Sequence, residues 1–375
     1  MENTKKKNSV FNIVIKIIVA VFLVVLMLLG GYVAYFSAAF YRLGDMAVSV
    51  NENTSDEKLY YSIKTYNLLS WNIGFAAYSH DYSFFMDGGK YSRAFSEDAV
   101  KENLDGIKSM VKSAASFYGS NDKFDILCFQ EVDVDGDRSY HINENESLMR
   151  EYSTYWSTFV QNYDSPYIAF PIFNPHGKNT SGLSTFSTFP IVSAERKELT
   201  IESGYTKYFD LDRCLSISRM KVLNGKELVV INLHLTAFSS DGSVSDKQIE
   251  EILSICKDEI AVGNYVICAG DFNKDILGNS PEVFGVDGEK YNWAKPFKTE
   301  LLKDSGMKLI APKGSGDYDV PTCRNPDSPY HKGQFVVTVD GFLVSSNIEV
   351  VSSAVYNGKF MFSDHNPVCL SFKLK

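Results

Sequence analysis

Tyr265-Val266-Ile267-Cys268-Ala269-Gly270-Asp271-Phe272-Asn273 decides the fold. Five apolar or small residues run into a glycine, after which an aspartate and an asparagine flank a phenylalanine. This is the pattern of a buried strand that breaks into a loop. On an extended backbone Asp271 and Asn273 share one face and Phe272 takes the other, so two oxygen-bearing side chains project together from a strand end. An ordinary polar turn looks the same locally. What separates the two readings is whether other strands end in the same way.

They do. Upstream, residues 214–222 alternate, Asn224-Gly225 supplies a tight turn, and residues 228–235 return as a strand that is apolar except for Asn232 and His234. The spacing of Ile249, Ile252, Leu253 and Cys256 predicts a helix over 246–260. Earlier, residues 63–72 read as a strand closing on Ser70-Trp71-Asn72. Ser96, with Glu97 and Asp98 behind it, opens a helix whose apolar face is Val100, Leu104, Ile107, Val111 and Ala114. Residues 124–129 form a buried strand ending on Gln130-Glu131, and 147–159 read as helical. Downstream, residues 335–344 contain Asp340, and Phe362-Ser363-Asp364-His365-Asn366-Pro367 precedes a last strand at 368–372. Many strands with few helices between them predict an α/β sandwich of two sheets rather than a doubly wound parallel sheet.

The 375 residues, 45% hydrophobic and 14% aromatic, show no internal repeat, and one globular domain is expected after a distinct N-terminal segment. Lys5, Lys6 and Lys7 precede an apolar stretch, and residues 17–41 hold no charged side chain. As a helix that stretch would span roughly 37 Å, more than a bilayer core of about 30 Å. Lysines on that side alone put the N-terminus in the cytoplasm. The expected organisation is a basic tail (1–9), a transmembrane anchor (10–41), a juxtamembrane segment (42–61) and a catalytic domain (62–375). A secretory signal peptide, with Ser37-Ala38-Ala39 as its cleavage region, is the rival; its apolar part usually runs only about 7–15 residues, which favours an uncleaved anchor. Either way the bulk of the protein is expected outside the cytoplasmic membrane.

Cys128, Cys268 and Cys369 sit in strand-like runs and Cys256 on a helical pattern, the setting of buried thiols rather than of a disulfide framework. No CxxC pair is present, so zinc is not expected. Beyond residue 40 there are 33 basic against 45 acidic residues, which disfavours a broad nucleic-acid footprint. Loop 73–95 gathers Phe75, Tyr78, Tyr82, Phe84, Phe85, Met86 and Tyr91 around Asp87-Gly88-Gly89-Lys90. It reads either as a self-packed aromatic flap or as a lip for substrate or membrane. Asp133, Asp135, Asp137 and Glu144 faintly match a calcium loop, but Arg138 stands where glycine is required, so an exposed acidic turn is expected.

Six strand ends thus carry Asn72, Glu131, His234, Asp271 with Asn273, Asp340, and Asp364 with His365. The set is rich in carboxylate and amide oxygens, has two histidines and no thiolate, and suits Mg²⁺ or Mn²⁺. A hard cation, a histidine base with a carboxylate partner and a second histidine form the inventory for attack of water on a phosphate ester.

These pieces carry a family resemblance. Leu69-Ser-Trp-Asn72-Ile-Gly, Cys128-Phe-Gln-Glu131-Val, Ile231-Asn-Leu-His234-Leu, Ala269-Gly-Asp271-Phe-Asn273, Val339-Asp340-Gly-Phe-Leu-Val and Ser363-Asp364-His365-Asn-Pro, in that order, resemble the endonuclease/exonuclease/phosphatase superfamily. Pancreatic deoxyribonuclease, neutral sphingomyelinases and inositol-phosphate 5-phosphatases share that fold, and the chain looks like a membrane-anchored bacterial-type member. The resemblance implies a four-layer αββα sandwich of two mostly antiparallel sheets and a divalent-metal-dependent phosphodiesterase. By it, Glu131 is the principal metal ligand, with Asn72 beside it and Asp364 near the ion. His365 is the general base, oriented by Asp340. Asp271 and Asn273 position the nucleophile and the phosphate oxygens, and His234 donates to the phosphoryl oxygen or the leaving group. One departure is Gly341, where an aromatic residue or histidine often follows the aspartate, and looser local packing is expected there. Arg138, Tyr140 and Arg213 are candidates for substrate contact, with Lys178 and Arg324 as further cations that either meet phosphate or are merely solvated. Lipid head group, extracellular nucleic acid and soluble ester such as an inositol phosphate all stay open as substrates. Tyr205, Tyr208 and Phe209 suit lipid or base alike. A binding module on an inactive scaffold is the non-enzyme alternative, and the sequence is silent on oligomeric state.

Overall fold

The computed structural model describes residues 2–52, 59–61, 64–204, 206–208, 210–237, 242–289, 291, 293–314 and 318–375, with side chains from residue 11 onward. Tyr205, Phe209 and most of the polar juncture at 51–58 lie outside the described residues. The chain divides into two compact units, Met1–Arg42 and Leu43–Lys375. The first is a single helix, α1 (Glu2–Ala39), whose stretch Phe11–Ala39 is long and apolar enough to cross a membrane.

The second unit begins where a juxtamembrane linker was expected, because that segment supplies two short strands, β1 (Met46–Val48) and β2 (Val50–Asn51). There follow β3 (Tyr66–Asn72), α2 (Glu97–Tyr118), β4 (Ile126–Gly136), α3 (Glu144–Glu151), β5 (Trp156–Asp164), β6 (Asn179–Ser187), β7 (Ile191–Glu198), β8 (Cys214–Lys221), β9 (Glu227–His234) and α4 (Ser243–Ala261). The remainder comprises β10 (Tyr265–Asp271), β11 (Met307–Ile310), β12 (Cys323–Arg324), β13 (Val336–Val337), β14 (Asp340–Ser345), β15 (Ile348–Val355) and β16 (Val368–Leu374). One seven-stranded sheet runs β1-β7-β8-β9-β10-β14-β11 and the other β15-β16-β3-β4-β6-β5-β2. Only β9–β10 and β3–β4 pair in parallel; every other pair in these two sheets is antiparallel.

Alternation along the strands builds the layers. Leu68, Ile126, Val230, Ile267, Phe342 and Leu370 face inward into the core between the sheets. Their neighbours Leu69, Leu127 and Phe129 turn outward onto α2, while Val229, Ile231 and Cys268 turn outward onto α4. Ser96 caps α2 by accepting from the Ala99 amide, and the five apolar residues read from the sequence are its buried face. All six cysteines are free and buried.

Four sequence expectations change. The stretch after Gln130 is not an exposed acidic turn: β4 continues through it, with Glu131 at φ 53° where the register against β6 shifts. Asp133 and Glu144 are buried: Arg138 pairs with Asp133, and Glu144 accepts from the Asp133 N–H. Only the first part of 147–159 is helical; from Trp156 the chain is β5, where aromatic and β-branched residues suit a pleated surface better. Strands β1, β2, β6, β7, β11, β12 and β15 had no counterpart in the sequence reading. At Gly341 packing is tight rather than loose, since an added Cβ would lie 2.5 Å from Ile276 Cδ1 and 2.8 Å from Ile310 O.

Candidate active site

The polar strand ends converge at one end of the sandwich, around a cavity of about 350 Å³. Register does most of the gathering. Asp271 lies opposite His234 across the parallel β9–β10 pair and opposite Asp340 across the antiparallel β10–β14 pair. Asn72 lies opposite Gln130, one residue before Glu131, on the facing sheet. Beneath the site Gln130 Nε2 donates to Asn232 Oδ1 (2.7 Å), and Asn232 Nδ2 donates to Phe129 O (3.2 Å). This buried amide pair ties the strand carrying Glu131 to the strand carrying His234 across the inter-sheet core.

Gly270 makes the approach possible. Its φ is 149°, and a Cβ there would sit 2.0 Å from Leu233 O on the neighbouring parallel strand. Asn273 is not on extended backbone, as the sequence alone implied; it turns at φ 48° and its amide reaches Leu235 O at 2.7 Å. Asp271 Oδ1 accepts from the Asn273 N–H at 2.8 Å.

His365 Nδ1 donates to Asp340 Oδ2 at 2.8 Å, and its Nε2 lies 3.7 Å from Asp271 Oδ2. Its backbone is held on both sides, by Ser363 Oγ on the N–H (3.1 Å) and by Trp71 Nε1 on the carbonyl (2.9 Å). Thr322 Oγ1 accepts from the Asp340 and Val339 amides. Burial opposes a charge on His365, but Asp340 and then Asp271 outweigh it, and its pKa is raised well above the ordinary imidazole value. His234 lies 3.5 Å from Asp271 Oδ2 and 3.9 Å from Glu131 Oε1 through Nε2. Burial first, then Arg213 and His365, push its pKa well down, so it is a neutral imidazole. The two histidines thus differ in the direction that base and donor roles need.

Burial also raises the carboxylates, Asp271 to about 7 and Asp364 to about 6, with Asp340 and Glu131 respectively adding like-charge repulsion. Asp364, Glu131, Asp271, Asn273, His234 and His365 all line the cavity, whereas Asp340 stands behind His365. Asn72 reaches Glu131 Oε1 (3.1 Å) and Asp271 Oδ2 (3.2 Å) through its amide nitrogen, while its oxygen accepts from the Gly74 N–H. It holds two carboxylates in place here rather than presenting an oxygen.

Of the three substrate-contact candidates, Arg138 and Arg213 line the cavity and Tyr140 does not. Tyr140 is 37% exposed, with its hydroxyl on Phe95 O. Arg138 spends Nε and Nη2 on the two Asp133 oxygens, at 3.0 and 2.7 Å, and lies 3.9 Å over the Phe75 ring. Arg213 pairs with Asp210 and donates to His234 O, so it fixes the histidine's strand end. Lys178 pairs with Asp164. The aromatic loop 73–95 packs on itself, with Phe75, Tyr78, Tyr82 and Phe84 edge to face, and Phe75, Tyr78, Phe84, Met86 and Asp87 wall the cavity. Asp87, raised to about 7 by burial with Asp364 and Glu131 nearby, went unnoticed in the sequence as a site residue. Arg324, fully buried, donates to the carbonyls of Ser79, Tyr82 and Ser328 and lines the same cavity. No local pattern marks either one.

A model of the Endonuclease/Exonuclease/phosphatase family matches residues 69–365. No curated protein matches the sequence. Among solved structures, an endonuclease/exonuclease/phosphatase from Beutenbergia cavernae is similar over 83% of this chain and 72% of its own, at 16% identity and a TM-score of 0.53. ANGEL2, a 2',3'-cyclic phosphatase in complex with adenosine-2',3'-vanadate, is similar over 83% of this chain and 96% of its own, at 14% identity and a TM-score of 0.52. The human Nocturnin catalytic domain with bound sulfate is similar over 83% and 94%, at 18% identity and a TM-score of 0.50. At these identities the likeness is one of fold.

Proposed function

The chain belongs to the Endonuclease/Exonuclease/phosphatase family, hydrolases of phosphate ester bonds, and from that premise we propose that it is an extracytoplasmic, membrane-anchored, divalent-metal-dependent phosphodiesterase. The observation that carries the reading is the His365–Asp340 pair at 2.8 Å, with His365 Nε2 directed at the cavity beside Asp271. In that arrangement Asp340 fixes the imidazole with Nδ1 protonated. Nε2 is left to take a proton from a water oriented by Asp271 as its oxygen attacks phosphorus. His234, neutral and donating through Nε2, faces the non-bridging phosphoryl oxygen or the leaving oxygen. Asn273 shapes the wall beside it.

The donor set fits Mg²⁺ or Mn²⁺. Glu131 and Asp364 face one cavity with their carboxylates, and burial first, then the Glu131 charge, raises the Asp364 pKa. Cys323 lies near Asp364 and His365, and burial pushes its thiol pKa up to about 12. Glu131 and Asp364 would hold the ion, with Asn72 keeping Glu131 in place. The ion would supply charge neutralisation at the phosphoryl oxygens. The apolar helix and its flanking lysines support anchoring with the catalytic unit outside.

The full chain in detergent should hydrolyse bis-p-nitrophenyl phosphate with Mg²⁺ or Mn²⁺ and lose that activity in EDTA. Undiminished turnover in chelator would overturn the metal assignment.

A further inference from the structure

The loop between β5 and β6 is unusual in composition: residues 165–177 hold no Asp, Glu, Lys or Arg in a chain that is 22% charged, and the loop's one cation, Lys178 at its end, pairs with Asp164. Its tip is apolar and open to solvent, with Phe170 62%, Ile172 77% and Phe173 101% exposed. Apolar groups clustered in this way on a surface mark a contact site. The tip continues into the cavity wall. The Phe170 ring is 5.9 Å from Phe85, and Phe85 is 5.6 Å from the ring of His176, which lines the cavity.

A second observation comes from where the chain enters the catalytic unit. Leu43 N donates to Asp212 Oδ2 at 3.2 Å, and Arg196 binds the carbonyls of Leu43 and Gly44 while its Nε donates to Gln161 O at 3.1 Å. Asp212 stands between Leu211 and Arg213, which both line the cavity. Register gives the same answer: Met46 pairs with Arg196, Glu198 with Cys214, and Leu215 with Leu233, next to His234. The chain therefore enters the sandwich at its active-site end. Only residues 40–42 separate the last residue of α1 from Leu43, at most about 14 Å of extended chain.

We propose that the rim formed by Phe170, Ile172 and Phe173 rests on the bilayer that holds α1, and that the cavity takes its phosphodiester from that surface, as a lipid head group. This rests on the membrane-anchored phosphodiesterase reading and narrows its substrate. Nucleic acid is the poorer fit, because the chain beyond residue 40 is acidic and the rim carries no cation to meet a polyanion. In the reaction the water oxygen bonds to the head-group phosphorus and the bond from phosphorus to the leaving alcohol breaks. One water proton passes to His365 and the alcohol oxygen takes up a proton, leaving a phosphate monoester and an alcohol.

The test uses the full chain reconstituted in vesicles of phosphatidylcholine, phosphatidylglycerol, cardiolipin and sphingomyelin. A tryptophan placed by Phe173→Trp should be quenched by brominated acyl chains. The combined variant Phe170→Ser, Ile172→Ser, Phe173→Ser, all exposed and outside the catalytic group, should lose lipid turnover about tenfold or more. It should hydrolyse bis-p-nitrophenyl phosphate like the parent. Absence of quenching, equal lipid turnover by parent and variant, or a parent that cleaves DNA, RNA or a soluble ester but no vesicle lipid, would each overturn the proposal. A parent inactive on bis-p-nitrophenyl phosphate with Mg²⁺ would instead overturn the phosphodiesterase reading beneath it.

Discussion

Arg138 and His365 both line the cavity and both pair with a buried aspartate, yet their surroundings follow opposite rules. Around Arg138 the bonding is nearly closed, with Glu144 Oε1 left without a partner among the described residues. Asp133 takes Nε and Nη2 of the guanidinium and the Ser139 hydroxyl, the Asp133 N–H goes to Glu144, and Phe75 covers the guanidinium face. Burial, with Asp133 alongside, pushes the Glu144 carboxyl well up, so it accepts the arrangement as a neutral acid. Around His365 the bonding stays open. Asp340 Oδ1 and His234 Nδ1 are buried without partners among the described residues, and His365 Nε2 stops 3.7 Å short of Asp271. Buried polar groups left unpaired cost stability, and these two belong to the cluster at the cavity, where a reacting molecule can complete them. A closed group holds the cavity's shape, and an open one does its chemistry.

That contrast breaks most easily at His365. Replacing it with alanine removes the proton acceptor and should lower turnover of bis-p-nitrophenyl phosphate by about 10²–10⁴-fold. Because the change also leaves buried Asp340 without its partner, the melting temperature should fall as well, and turnover is compared per folded molecule. A large fall in melting temperature at unchanged turnover would make His365 a structural histidine and reverse the comparison.

Arg138→Met tests the closed side. It leaves Asp133 buried without its counter-charge, which should cost about 3–5 kcal/mol in urea unfolding. Turnover per folded molecule should stay within a few-fold. If turnover collapses while stability holds, Arg138 is a phosphate-binding residue after all, and closure is no guide to role.

The same contrast explains what the sequence reveals. The open group is legible because several of its members stand at the end of a buried apolar run, where a charge has few bland explanations: Glu131 just past residues 124–129, His234 at the end of β9, Asp271 after Gly270. The sandwich follows from those runs and from turn chemistry such as Asn224-Gly225. The closed group is illegible for the complementary reason. Asp133, Asp135 and Asp137 look solvated in one dimension, and only the bulge at Glu131 and the fold bring Arg138 to neutralise Asp133 and Glu144 to accept from its backbone N–H. Asp87 reaches the cavity from a loop and Arg324 from β12, a strand of two residues, and no periodicity records either. The edge strands β1 and β2 are two or three residues long and too short for any pattern, yet they fix where the chain joins the sandwich.

The finest test separates orientation from proton affinity within the open group. Asp340 does two things for His365: it holds the ring with Nδ1 protonated, and its charge keeps the imidazole pKa raised against the opposing effect of burial. A base works in its neutral form, so the rate should climb with pH as His365 loses its proton, at a pH above the ordinary imidazole value. Asp340→Asn removes the charge but keeps a hydrogen-bond acceptor for Nδ1–H. The acid limb of the kcat/KM profile should therefore move to lower pH, while the plateau falls by less than it does in His365→Ala. Because both residues serve one proton transfer, the double variant should be little worse than His365→Ala alone. A limb that stays where it was, or losses that simply add, would mean that Asp340 and His365 act separately and that another group accepts water's proton. Asp271, raised to about 7 and 3.7 Å from His365 Nε2, would then be the residue to examine.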